Sequence, residues 1–200
     1  MRTYKIHVTF PRRYQRPANR QTQRDGVAVR SHVYRDERGR PYYKAIKFED
    51  GSWAMHALHP ISGLVSRRFI NGIRRVILYR LPGLIAADPT RPLFVCEGEK
   101  DADTLVAQGL VATSAPMGAG KWHLLDESMD EVLRGRRVVI VPDNDAAGKA
   151  HAEQVVEALA EIAAEIRLIS LPSGVKDVSE FFEAGGTKAR LLRRNAVAVR

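Results

Sequence analysis

Cysteine is nearly missing from this chain: Cys96 is the only one in 200 residues. A lone thiol excludes a disulfide framework and a Cys-ligated zinc site, and its place inside the apolar run Leu93–Cys96 predicts a buried free thiol in a reducing cytoplasm. His56 and His59 have no cysteine partners for zinc either, and His123 reads as structural. Long apolar runs are also missing. No stretch of about eighteen apolar residues occurs, and residues 1–10 lack an apolar core, so neither a membrane-spanning helix nor an export signal is expected. Internal repeats and low-complexity tracts are absent. What remains is one large domain, or one domain with a lobe, able to bury a core without staples.

Acidic residues are scarce in the first part of the chain. Residues 1–90 carry 18 Lys and Arg against 6 Asp and Glu, whereas residues 91–200 carry 14 against 17, within a net charge of +9. A basic lobe therefore adjoins an acidic one. Such a lobe attracts a polyanion and releases its counterions, which points to DNA or RNA. Arg12, Arg13, Arg16, Arg20 and Arg24 among Pro, Gln, Asn and Thr predict a flexible basic arm over residues 1–25.

Residues 26–90 read as a basic α+β lobe. Two β-branched and aromatic runs, 27–34 and 42–48, flank Asp36-Glu37-Arg38-Gly39 and predict a hairpin. A strand-like run over 73–80 leads into a short helix around 83–87, and Asp88, Pro89 and Pro92 punctuate the join to the next lobe. Beyond it strands alternate with helices: strands at 93–96, 111–114, 137–141 and 166–171, and helices at 101–108, 122–133 and 147–164. That alternation predicts parallel βαβ units. An Arg-rich helix or tail closes the chain over 186–200.

Acidic residues follow two of the apolar strands. Glu97-Gly98-Glu99-Lys100-Asp101 comes after the first, and Asp143-Asn144-Asp145 with Gly148 after the third. Open α/β sheets bind ligands outside the strand ends. Carboxylates gathered there repel one another unless a cation lies between them, and a divalent metal ion answers that need. Gly98 would ease a sharp strand-to-helix turn and let phosphate approach, and Gly148 would open the start of the next helix. Two look-alikes fail. The Asp143 segment has Ala147 and Gln154 where a calcium loop needs ligands, and the Gly118–Gly120 segment has Ala115 and Trp122 where a phosphate loop needs Gly and Ser or Thr.

These two motifs, together with Gly174-Val175-Lys176-Asp177-Val178-Ser179-Glu180 after the last strand, resemble the TOPRIM domain over residues 91–185. That domain is shared by bacterial-type primases, type IA and type II topoisomerases and a group of nucleases. Arg75-Val76-Ile77-Leu78-Tyr79-Arg80 before the acidic strand is similar to the segment preceding TOPRIM in bacterial and phage primases. The resemblance implies an α/β fold, a four-stranded parallel sheet flanked by helices and preceded by the smaller basic lobe. It also implies that Glu97 and the pair Asp143 and Asp145 converge at one edge of the crevice.

The chemistry expected of these residues is phosphoryl transfer with Mg²⁺ or Mn²⁺, which take hard oxygen ligands and keep several waters. Asp143 and Asp145 are the leading ligand candidates. Glu97 would complete a second metal position or act as general acid and base, with Asp101 and Asp177 as further candidates. Arg74, Arg75, Arg80, Lys121 and Lys149 are candidates for the phosphate backbone. The leading expectation is primase-like synthesis on a single-stranded DNA template from nucleoside triphosphates, alongside a helicase or zinc-module partner. A TOPRIM nuclease is the alternative, and a non-catalytic replication accessory the third. A topoisomerase fits less well, because all six tyrosines fall within residues 4–79.

Overall fold

β-Branched and aromatic residues fill the first two strands, and the computed structural model, which describes residues 27–65, 73–194 and 196–198, pairs them as the expected hairpin. Strand β1 (Ala28–Arg35) runs antiparallel to β2 (Pro41–Phe48). The Asp36 carboxylate accepts the backbone N–H groups of Arg38 and Arg40 and the Arg40 Nε, which closes the turn, and Gly39 takes its left-handed position at φ 77°. A third strand, β3 (Trp53–Ala57), extends the sheet in the order β1-β2-β3. The expected arm over residues 1–25 lies outside the described residues.

The second sheet holds the four predicted parallel strands. These are β4 (Leu93–Cys96), β5 (Val111–Ser114), β6 (Arg137–Val141) and β7 (Glu165–Ile169). Strands β4 and β5 are buried at every residue, as parallel strands covered on both faces must be. The order is β5-β4-β6-β7-β8, where β8 (Ala196–Ala198) pairs antiparallel with β7. Helices α1 (Leu81–Ala86), α2 (Glu99–Ala107), α3 (Ser128–Leu133), α4 (Ala146–Leu159), α5 (Val178–Glu183) and α6 (Lys188–Leu192) complete the described elements.

Two expectations are corrected and one is extended. Within the Arg-rich end expected as a helix or tail, Lys188–Leu192 is the helix and Ala196–Ala198 adds an edge strand on the open side of β7. The helix expected over 122–133 is a 3-10 turn at Trp122–Leu124 and a separate α3, since the Asp126 carboxylate accepts the Ser128 N–H and starts a new helix. The run at 73–80 forms no strand. It lies along β5 instead, with the Tyr79 N–H donating to the Ser114 carbonyl at 3.0 Å and the Thr113 hydroxyl donating to the Tyr79 carbonyl at 2.7 Å. That contact covers one edge of the parallel sheet.

One continuous apolar core joins the lobes. Tyr34 and Tyr43 face each other across the hairpin, are fully buried, and stack with ring centroids 4.6 Å apart. Tyr43 donates to the Ile77 carbonyl and accepts its N–H. Tyr34 donates to Glu99 Oε1 at 2.8 Å, and Glu99, in the first turn of α2, is 2% exposed. Tyr34→Phe would leave that buried carboxyl without a donor and should cost about 2 kcal/mol. A lowered urea midpoint at unchanged slope is the expected reading; an unchanged midpoint would remove this contact from the account.

Candidate active site

The strand order fixes the crevice. Strand order reverses at β4, with β5 added on one side of it and β6 on the other, all parallel, and Cys96 pairs in register with Val141, so the segments leaving β4 and β6 emerge side by side. Glu97 leaves β4 and Asp143 leaves β6.

Burial and mutual repulsion both raise the carboxylates at these strand ends. Asp143 is pushed up to about 7, first by burial and then by Glu97, Asp101 and Asp177. Glu97 is raised by burial and then by Asp145, while the Lys176 ammonium and the Ala119 N–H pull it back. Glu97 Oε2 is buried without a hydrogen-bond partner. A buried acceptor left open beside mutually repelling carboxylates is the signature of an environment that favours a cation.

Each acidic side chain has a distinct setting. Asp145 is the N-cap of α4, accepting the Gly148 N–H at 2.8 Å with one oxygen. Asp177 caps α5 by accepting the Glu180 N–H at 2.7 Å and lies 3.9 Å from the Lys100 ammonium. Asp101 is 6% exposed and accepts both the Ser179 N–H at 3.1 Å and the Ser179 hydroxyl at 2.6 Å, joining α2 to α5. Its pKa is raised chiefly by burial. Both bonds to Ser179 are made by Oδ1, so Asp101 ties α2 to α5 through that one oxygen.

The donor set fits Mg²⁺ or Mn²⁺ in chemistry: hard carboxylate oxygens, one of them orphaned, without a soft ligand free to compete. Among the described residues no group of three His, Cys, Asp or Glu is placed to hold a metal ion as it stands, so an ion here would draw most of its ligands from waters and substrate phosphate oxygens.

Gly148 is required by space. A Cβ there would lie 2.4 Å from the Asp143 carbonyl oxygen, so α4 starts jammed against the Asp143 backbone. Gly98, by contrast, has an ordinary extended backbone (φ −124°), and a Cβ would meet Asp101 Oδ2 at an ordinary 3.7 Å. The turn rationale expected for Gly98 therefore falls away.

The basic candidates separate. Arg75 pairs with Glu37 at 2.8 Å and donates to the Ser128 hydroxyl. Arg80, left-handed at φ 56°, pairs with Asp103 at 2.6 Å. Arg74, Lys121 and Lys149 are exposed. Sequence reasoning passed over Lys176, Asn144 and Ser179. The Gly-x-Lys-Asp spacing carried the signal for Lys176; for Asn144 the only signal was its place between two aspartates.

Comparison with known proteins agrees with this geometry. Residues 94–182 match the Toprim-like family. No curated protein matches the chain significantly. A DNA primase domain from Pseudomonas aeruginosa superposes with a TM-score of 0.61 at 20% identity, over 84% of this chain and 51% of that one. The Aquifex aeolicus primase, with its zinc-binding and RNA polymerase domains, gives 0.59 at 19%, over 84% and 40%. The primase fragment of the bacteriophage T7 primase-helicase gives 0.54 at 20%, over 78% and 57%. This chain spans about half the length of these relatives, and at such identities the likeness concerns the fold. No helix among the described residues is long and apolar enough to cross a membrane. Residues 94–182 are thus similar to the Toprim-like family, and the fold of the chain is similar to the catalytic cores of bacterial and phage DNA primases.

Proposed function

We propose that the protein is a metal-dependent nucleotidyltransferase that extends a primer on a nucleic-acid template from nucleoside triphosphates. The observation that carries this reading is the raised carboxyl of Asp143 beside the orphaned Oε2 of Glu97, at the ends of adjacent parallel strands. Asp143, Asp145 and Glu97 would hold Mg²⁺ or Mn²⁺. The chemistry that such an ion supplies when bound is charge neutralisation at the transferring phosphoryl group. Glu97, whose pKa is raised by burial, would either complete a second metal position or act as general acid and base for the attacking 3′-hydroxyl. Asp101 keeps α2 and α5 in register beneath it through Ser179.

The template would follow the basic lobe. Arg30, Lys47 and Trp53 share one face of the three-stranded sheet, since Arg30 pairs with Lys47 and Lys47 with Trp53 across the strands. The Lys47 ammonium sits 5.8 Å above the Trp53 ring. A cation beside an aromatic plane suits an unpaired strand, which offers phosphates and stackable bases. Arg74, Lys121 and Lys149 add exposed positive charge. In a structural neighbour from bacteriophage T7, primase domains are bound to an RNA/DNA hybrid and dTTP. The Aquifex structure includes a zinc-binding domain and the T7 protein is a primase-helicase, so partners of those two kinds are expected here.

Pure protein incubated with labelled single-stranded or duplex DNA, with and without nucleoside triphosphates and Mn²⁺, tests the reading. Nucleotide-dependent extension products are expected. Shortened fragments that need no nucleotide would replace it with a TOPRIM nuclease, and a gel shift without products would leave a binding accessory.

A further inference from the structure

Residues 184–194 hold four Lys or Arg and no Asp or Glu. Within this stretch Leu191 is fully buried and anchors α6, while Arg190 and Arg193 are exposed. The two arginines stand three residues apart in helical backbone, so they leave one face together, about 5–6 Å apart at Cβ. Among the described residues neither side chain has an ion-pair or hydrogen-bond partner. Arginines elsewhere around the parallel sheet are occupied: Arg134 pairs with Glu131 at 3.1 Å, Arg167 with Glu165 at 2.6 Å, and Arg194 donates to the Ser170 carbonyl. Like charges one turn apart work against the helix that carries them, and a phosphate backbone is a ligand that relieves their repulsion. The bonds around α2 place this face. Glu99 and Asp103 hold the basic lobe on one side of α2, and Asp101 and Thr104 hold Ser179 of α5 on another. Helix α6 follows α5, with the Lys188 ammonium beside Gly109 just past the end of α2 and Arg194 against Ser170 just past β7. A second positive surface therefore stands across α2 from the basic lobe.

We propose that Arg190 and Arg193 form a second nucleic-acid contact, separate from the basic lobe, which grips the phosphate backbone without reading bases. The assignment rests on the chain binding nucleic acid, as proposed above, and not on the reaction that it performs there. A strand held at two places, on the lobe and on α6, is fixed in direction as well as in position.

Fluorescence anisotropy of labelled oligo(dT) with the full chain, across a range of salt and without metal or nucleotide, tests the proposal. Arg190→Gln combined with Arg193→Gln should weaken binding about tenfold near ~0.1 M salt, and should make the slope of log affinity on log salt shallower by about 1.4, the counterions released by two phosphates. Its melting temperature should match the wild type, because neither side chain bonds within the fold. Arg190→Lys combined with Arg193→Lys should keep the affinity, since a grip on the backbone needs charge alone. Arg134→Gln combined with Arg137→Gln removes the same net charge at the start of β6 and should leave the slope unchanged. An unchanged slope in the α6 variant overturns the proposal, and so does an equal fall in the β6 control, because net charge would then explain the effect. A wild-type chain that does not bind oligo(dT) overturns it as well. Weaker binding by the α6 variant, beside a wild type that binds but never extends a primer, upholds this contact and overturns only the reaction proposed above.

Discussion

Asp143→Asn should reduce metal-dependent nucleotide incorporation on the order of a thousandfold, since it removes a ligand charge from a centre whose ion supplies several kcal/mol to the transition state. The substitution should also make the metal-free protein more stable. In the folded chain burial and then the charges of Glu97, Asp101 and Asp177 disfavour the ionised Asp143 carboxyl, and an amide relieves that cost. Loss of activity with gain in melting temperature distinguishes a functional charge from a structural one. Retained activity would refute the role given to Asp143.

The pH dependence follows from the same shift. Asp143 moves up to about 7 on folding, so between the ordinary carboxylate range and pH 7 the native state binds a proton that the unfolded state has released. Stability contributed in this way is present at low pH and lost as pH rises through the folded value. Glu97 and Asp101 are raised as well and add to the trend. The metal-free protein should therefore melt at a higher temperature at pH 6 than at pH 8. Mn²⁺ should narrow that gap by stabilising the charged carboxylates, and Asp143→Asn should narrow it without metal. A melting temperature that does not vary across this range would contradict the electrostatic picture.

Gly148→Ala should have the second large effect. Its Cβ would enter to 2.4 Å from the Asp143 carbonyl oxygen and 2.8 Å from the Asp143 nitrogen, so either α4 or the Asp143 segment must move. The expected loss is about 3 kcal/mol, the upper range for overpacking, because the obstacle is backbone. Gly186→Ala provides the comparison. It clashes equally, at 2.4 Å from the Phe181 carbonyl oxygen, but at the far end of α5. Both variants should unfold at lower urea, yet only Gly148→Ala should also weaken Mn²⁺, by about tenfold if the carboxylate is displaced. Equal metal binding in the two would show that the tight start of α4 serves folding alone.

The strands around the crevice were legible because each is a short apolar run bounded by punctuation. Strands at 93–96, 111–114 and 137–141 agree with the structure to the residue. Strand β3 was not legible, since Trp53–Ala57 is half-buried nearly throughout and shows no alternation. Strand β8 was hidden by its Arg-rich surroundings, and three residues carry too little pattern to reveal it. Within the site, residue type announced the carboxylates, but partners distant in sequence decided what each one does. Asp101 is occupied by Ser179, 78 positions away, and Arg75 and Arg80 by Glu37 and Asp103, 38 and 23 positions away. Periodicity and spacing report on neighbours along the chain, and these contacts are made by topology.

Three side-chain bonds across the junction of the lobes land on α2. Tyr34 reaches Glu99, and Tyr79 and Arg80 reach Asp103 one turn further on, on the helix that begins two residues after Glu97. Grafting either lobe onto a foreign counterpart would strip Glu99 of its phenol and expose two stacked tyrosines, so the heritable module is the pair. Any lineage that shuffled these lobes separately would have had to rebuild the floor beneath Glu97 each time.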